Sequence, residues 1–180
     1  ANQSFTFTPS ASPDAYTVVR EPVTAFPSDM TTGTTTITMT DDSFSAVALS
    51  GGASVRLYGT TYTTFFVGSN GYITFGSGDT QWTESFANHF AKPRIAGLFR
   101  DLNPPVLGGN VKRRQFTDRV AVAWQSVREY GTALANNFMI EMFFDGRIRI
   151  TARSIASTKG LIGLSRGTGL PAGFTQSNFS

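Results

Sequence analysis

A chain of 180 residues with 40% hydrophobic and only 15% charged side chains suits one domain with a sizeable core, and excludes both a disordered tail and a highly charged helical protein. The formal net charge is +3, carried by twelve Arg and three Lys scattered along the chain, so no nucleic-acid-binding face is expected. Cysteine is absent, which removes disulfides, thiol nucleophiles and thiolate zinc sites, and no apolar run approaches the roughly 20 residues of a membrane helix.

Sixteen Phe, eighteen Gly and about two dozen Thr favour strands joined by turns. Residues 1–30 are rich in Pro, Ser and Thr, with Pro9, Pro13, Pro22 and Pro27. Within them Ser4-Phe5-Thr6-Phe7-Thr8 alternates apolar and polar as a strand does, and Tyr16-Thr17-Val18-Val19 forms a second such run. Two readings stay open: an edge strand of the domain's own sheet, or an arm that adds to a neighbour's sheet. In the second, Phe5, Phe7, Tyr16 and Val18 fill pockets while the main chain supplies hydrogen bonds.

From residue 31 to 180 the pattern predicts a single β domain. Thr34 to Thr40 puts Ile37 and Met39 on one face and ends at Asp41-Asp42. Phe44 to Leu49 and Ser54 to Tyr58 flank the turn signal Gly51-Gly52. Thr61 to Val67 and Tyr72 to Phe75 flank Asn70-Gly71, a tight turn or bulge. Residues 77–93 are irregular, with room for a helical turn and with Trp82, Phe86 and Phe90 as anchors. Ile95 to Arg100 reads as a buried strand, stopped by Asp101-Leu102-Asn103-Pro104-Pro105.

Asn110 to Phe116 and Arg119 to Val127 form a hairpin over Thr117-Asp118, with Val120, Val122 and Trp124 inward. Lys112 and Arg114 fall on one side of the first arm and Arg113 on the other, a solvated face rather than a polyanion site. Asn137 to Phe144 and Arg147 to Arg153 flank Asp145-Gly146, a strong hairpin signal. Ile148, Ile150 and Ala152 point in; Arg147, Arg149, Thr151 and Arg153 point out. Leu161 to Leu164 closes the set. About ten short strands at this spacing predict an all-β fold, a two-sheet antiparallel sandwich of jelly-roll or immunoglobulin-like kind with little helix.

Catalytic signals are weak. Gly163-Leu164-Ser165-Arg166-Gly167 fits G-x-S-x-G, but that motif needs a strand-to-helix turn, and Gly167-Thr168-Gly169-Leu170-Pro171 cannot start a good helix. The same run brushes G-x-G-x-x-A without the strand–helix context that gives it meaning. His89 is the sole histidine, which excludes a multi-histidine metal site, and between Phe86 and Phe90 it reads as a packing residue. No pair of acids is marked for glycoside cleavage, so no catalytic residue is expected. Calcium is the one cofactor with candidate ligands, since oxygen donors on turns need no rigid spacing. Asp101, Asn103 and Asn110 form one candidate set, and Asp41 with Asp42 another. Tyr72, Trp82 and Tyr130 are candidate aromatics for contact with a sugar face. Asn2-Gln3-Ser4 and Asn178-Phe179-Ser180 match the glycosylation tripeptide.

The order of five segments resembles the nidogen-type (NIDO-like) extracellular β domain and its bacterial relatives on exported and cell-surface proteins. They are Tyr62 to Gly76, Arg94 to Pro104, Asp118 to Trp124, Asn137 to Gly146 and Gly160 to Gly167, which span roughly residues 55 to 167. The resemblance implies a non-catalytic module of adhesion, matrix or surface architecture. The opening Ala1-Asn2-Gln3 suits a mature product after signal cleavage, and a secreted or cell-surface location is expected. The expected partner is the chain itself, as a homo-oligomer or filament built by strand donation, or another surface protein. The alternative is a carbohydrate-binding accessory module of a secreted hydrolase, with polysaccharide as ligand.

Overall fold

The computed structural model describes residues 2–12 and 14–178. Fifteen strands and one short helix follow one another as β1 (Gln3–Pro9), β2 (Tyr16–Pro22), β3 (Thr35–Ile37), β4 (Phe44–Ala48), β5 (Val55–Leu57), β6 (Thr60–Tyr62), β7 (Thr64–Gly68), β8 (Tyr72–Thr74), α1 (Phe86–Phe90), β9 (Pro93–Phe99), β10 (Leu102–Asn103), β11 (Asn110–Gln115), β12 (Arg119–Glu129), β13 (Ala135–Phe143), β14 (Ile148–Ile155) and β15 (Leu161–Arg166). The first sheet runs β2-β1-β14-β13-β12-β11-β3, with β10 also on β12; the second runs β15-β9-β8-β7-β4. β5 and β6 form a separate hairpin. All pairings are antiparallel, so the expected two-sheet sandwich is what forms. The expected ten was an undercount of the thirteen segments named from the sequence, which become fifteen strands because Thr61–Val67 breaks at Thr63 and because Leu102-Asn103, placed in a terminating turn by its prolines, still pairs with Glu129 and Arg128.

Period-two alternation builds the core. Val120, Val122 and Trp124 of β12, Ile140 and Phe138 of β13, and Ile148 and Ile150 of β14 meet Phe65, Val67, Ile73 and Ile95 from the other sheet. Trp124 stacks on Phe138 with ring centroids 5.0 Å apart and donates Nε1–H to the Gly68 carbonyl at 3.2 Å, which joins the two layers. The Asn70-Gly71 turn packs tightly against β9 of its own sheet. Gly71 has φ +79°, and a Cβ there would lie 2.0 Å from the Leu98 carbonyl oxygen, so glycine is required on both counts.

The N-terminal segment belongs to the first sheet of its own chain. Phe5 pairs with Ile150 on one side and Arg20 on the other, and Phe5 is buried. Residues 23–33 then cross the outer face of that sheet, where Met30 packs with Ala121, Ala123 and Met139, flanked by Phe26 and Phe116. Under this cover sits Glu141, fully buried. It accepts from Ser28 Oγ at 2.5 Å and from Arg149 at 2.5 and 2.8 Å, and it pairs with Arg119 Nε at 3.2 Å. Thr151, expected to point outward, does so but is buried against Ser4, with hydroxyls 3.2 Å apart.

Candidate functional site

Four turns meet at one end of the sandwich: β3–β4, β7–β8, the β9–β10 junction and β12–β13. Asn70 is the fastener. Fully buried, it donates Nδ2–H to Asp42 Oδ1 at 2.7 Å and accepts from the Leu102 amide at 2.8 Å. Ser69 and Ser43 add a reciprocal pair, Ser43 N to Ser69 Oγ at 3.0 Å and Ser69 N to the Ser43 carbonyl at 2.8 Å. The Tyr130 amide donates to the Asp101 carbonyl at 2.9 Å. The outcome is that Asp41, Asp42 and Asp101 each place an oxygen within 4.8 Å of the others. Asp101, from one of the two sets of candidate calcium ligands read from the sequence, is thus brought beside Asp41 and Asp42, the other set.

The electrostatics of this end are uneven. Burial, then Asp42 and Asp41, push the Asp101 carboxyl up to about 6, and burial with Asp42 raises Asp41. The nearby Arg100 is committed elsewhere: it bridges Glu84 and Glu129, the latter at 2.5 Å, and its hydrogen bond holds Glu129 below the usual carboxylate range. By that bridge Arg100 ties the loop bearing Trp82 to the turn bearing Tyr130. Both aromatics are half-exposed, 52% and 55%. Trp82 is therefore not the loop anchor expected; that work falls to Phe90, which is buried, and Phe86, which packs edge-on against Phe174.

Tyr72 is a correction. It is fully buried and cannot meet a sugar. The loop over β8 takes its hydroxyl, which donates towards the carbonyls of Gln81 at 2.8 Å and Asp79 at 3.2 Å, and the Arg94 guanidinium lies 4.2 Å from its ring centroid. Arg94 is itself buried and paired with Asp79, an internal cation that no sequence pattern marked. Of the four proposed arm residues, Phe5 is core, and Phe7 packs on its edge. The Tyr16 hydroxyl accepts from the Tyr58 amide at 3.0 Å. Only Val18 faces out, beside Val19, at 52% and 54% exposed. The second glycosylation tripeptide, Asn178-Phe179-Ser180, runs outside the described residues.

Ser165 is buried; its hydroxyl donates to the Lys92 carbonyl at 2.9 Å and accepts from the Gly167 amide at 3.0 Å, which is the work of a strand end. Arg114, from the basic run, is spent on Asp29 at 2.8 Å and on the ring of Phe116. His89, 4% exposed, lines a cavity of about 210 Å³ with Phe86, Phe90 and Phe174. Burial, with Arg94 adding to it, lowers its pKa from 6.5 to about 4. Between those values the unfolded chain binds the proton and the folded one does not, so His89 makes stability fall as pH drops from 6.5 towards 4, by about 3 kcal/mol in all. Asp101, raised when folded, has the opposite slope. Urea unfolding at pH 7 and pH 4 of wild type and His89→Gln isolates the histidine: the variant loses less stability, and equal losses would refute the assignment.

Comparison with curated proteins and with solved structures returns no match. The family model described as NIDO related matches residues 5–174, further into the N-terminal region than the five segments read from the sequence. That span takes in most of β1 and all of β2, the strands that end the first sheet on one side, and the chain belongs to the NIDO-related family, whose domains are typically extracellular, non-enzymatic β modules.

Proposed function

We propose that this domain is a non-catalytic extracellular module that works by protein contact, and that the contact is made by adding a strand to the free edge of β2. The observation behind it is the edge itself. β2 is the last strand of the first sheet, seven residues long, with Thr17 to Pro22 all exposed and with Val18 and Val19 presenting apolar side chains to both faces. The exposed Thr17-Val18-Val19 half of this edge is a template for another strand, and the Arg20-Glu21-Pro22 half carries the charge and proline that limit the pairing to it. Donation of β1 is a poorer route, because Phe5 would have to leave the core and Ser4 its partner Thr151. A second copy pairing antiparallel on β2 suits the edge; the contact uses the same edge of both copies and closes as a two-fold dimer, the homo-oligomer among the partners expected from the sequence. Family membership supports the extracellular, non-enzymatic part of the reading.

The test is sedimentation and electron microscopy of the full chain across a dilution series, beside Val18→Lys/Val19→Lys. Association that the double variant abolishes, with unchanged circular dichroism, is the expected result. A wild type monomeric throughout, or a variant that associates equally, would sink the reading. Carbohydrate binding has one observation in its favour, the two half-exposed aromatics on loops joined by Arg100. Binding of polysaccharide lost in Trp82→Ala would establish it.

A further inference from the structure

Beneath α1 the outer face of the second sheet is built from small residues. Gly163 of β15 pairs with Ala96 of β9, and residues opposite one another in a ladder share a face. A Cβ at Gly163 would meet, beyond its chain neighbours, only His89 Nε2, at 4.0 Å, so the floor is open and the imidazole faces it. The result is the cavity of about 210 Å³ between α1, β15 and the C-terminal segment, in an interior that rarely leaves space larger than a water molecule. Phe86 and Phe90 form one wall, Leu161 and Leu164 another, and Phe174 closes the side. The rings stand edge-on to one another: Phe174 lies 4.9 Å from Phe86 and 5.1 Å from Phe90, and Phe90 lies 4.8 Å from His89. No Asp, Glu, Lys or Arg lines the cavity, and burial keeps His89 neutral. One wall is able to move. Residues 168–178 are exposed along their length, and the bond from the Gly169 amide to the Phe90 carbonyl at 2.9 Å holds the start of that segment. Phe174, 37% exposed, swings aside without disturbing a strand of either sheet.

From this geometry we infer that the cavity binds a small, neutral aromatic molecule of about the size of indole, with Phe174 as its lid. Three properties of the walls choose that guest. The first is volume: an apolar cavity of about 150 Å³ takes benzene, so this one takes a ring system of about nine non-hydrogen atoms. The second is polarity. A charged guest would shed its hydration shell and find no countercharge in the wall. The third is shape. Aromatic rings favour edge-to-face contact, and the four rings of Phe86, His89, Phe90 and Phe174 offer it to a flat guest rather than to a saturated one. Gly163 sets the space available, because any side chain there would stand where the guest lies. The site is separate from the edge of β2, so either can fail without the other.

The experiment titrates indole into the full chain, followed by calorimetry, thermal unfolding and backbone-amide NMR. The expected result is one indole per chain, a Tm that rises with indole, and shift changes centred on His89, Gly163 and Leu164. Phe174→Ala weakens indole binding about tenfold, a loss of the size expected for the ring contacts it removes. It leaves the ligand-free Tm close to wild type, because the ring is partly exposed on a terminal segment. Phe86→Ala removes the facing wall and weakens binding likewise, and it carries the test if Phe174→Ala does not fold. Absence of heat and of shift changes in wild type at millimolar indole overturns the site. Shift changes centred on Trp82 and Tyr130, or affinity of wild-type size in either variant, overturn it too. Equal binding of cyclohexanol overturns the aromatic assignment, and equal binding of benzoate overturns the requirement for a neutral guest.

Discussion

Trp124→Ala lowers the stability of the domain by about 4 kcal/mol, and its Tm by roughly 10 °C for a chain of this size. The indole is fully buried at the middle of the longest strand, between the two sheets. Truncation opens a cavity against Phe138, and the loss of Nε1–H leaves the Gly68 carbonyl without its donor across the layer. Both effects act on packing that neither sheet supplies alone, so the neighbouring side chains cannot collapse into the gap cheaply. Trp124→Phe separates them: the ring stack is kept and the hydrogen bond lost, and the cost falls to about 2 kcal/mol. Chemical denaturation of the three proteins measures this. A Trp124→Ala loss below about 1 kcal/mol would mean that the indole does not join the sheets as described.

Glu141→Ala costs about 3 kcal/mol and also uncovers the outer face of the first sheet. The carboxylate is the hub for Ser28 from the crossing segment and for Arg119 and Arg149 from the strands. Its removal leaves two guanidinium groups facing each other under Phe26 and Met30. Their side chains are 20% and 24% exposed, so water relieves part of the penalty, which keeps the value at the lower end for a broken buried pair. Residues 23–33 then lose the bond from Ser28 to Glu141 and keep the Asp29–Arg114 pair with the packing of Met30 and Phe26. Limited proteolysis is expected to cut this segment faster in Glu141→Ala than in wild type, alongside a lower denaturation midpoint. Equal cleavage with reduced stability would show that the segment is held by apolar contact and that Glu141 serves only the sheet.

The β12–β13–β14 region was legible because each strand alternates cleanly and each turn has its own chemistry. Asp145-Gly146 closes a hairpin with Gly146 at φ +97°, and Val120, Val122, Trp124, Ile148 and Ile150 all reach the core, as alternation requires. The outer face of the same strands was not legible. Alternation puts Ala121 and Ala123 on the face away from the core and sends Arg149 outward, and nothing marked Met139 or Glu141, because nothing local reveals that residues 23–33 pack over them from about ninety or more positions away along the chain. Tyr72 misled for the same reason. Its alternation leaves the inner or outer face open, and the loop of residues 77–85, whose conformation has no periodicity, is what buries it.

The calcium candidates show the division most directly. The oxygen-rich turns at Asp41-Asp42 and at Asp101 to Asn110 were visible as turn chemistry, with every ligand type in place. That the two acidic turns lie side by side depended on Asn70, on a third turn, joining Asp42 to Leu102. The sequence by itself determined a mostly β, cysteine-free domain, the hairpins of its last third and a family resemblance, since periodicity and turn signals act over two to ten residues. The tertiary structure decided which edge is free, which charges are internal and which turns meet, because those follow from contacts between segments far apart in the chain.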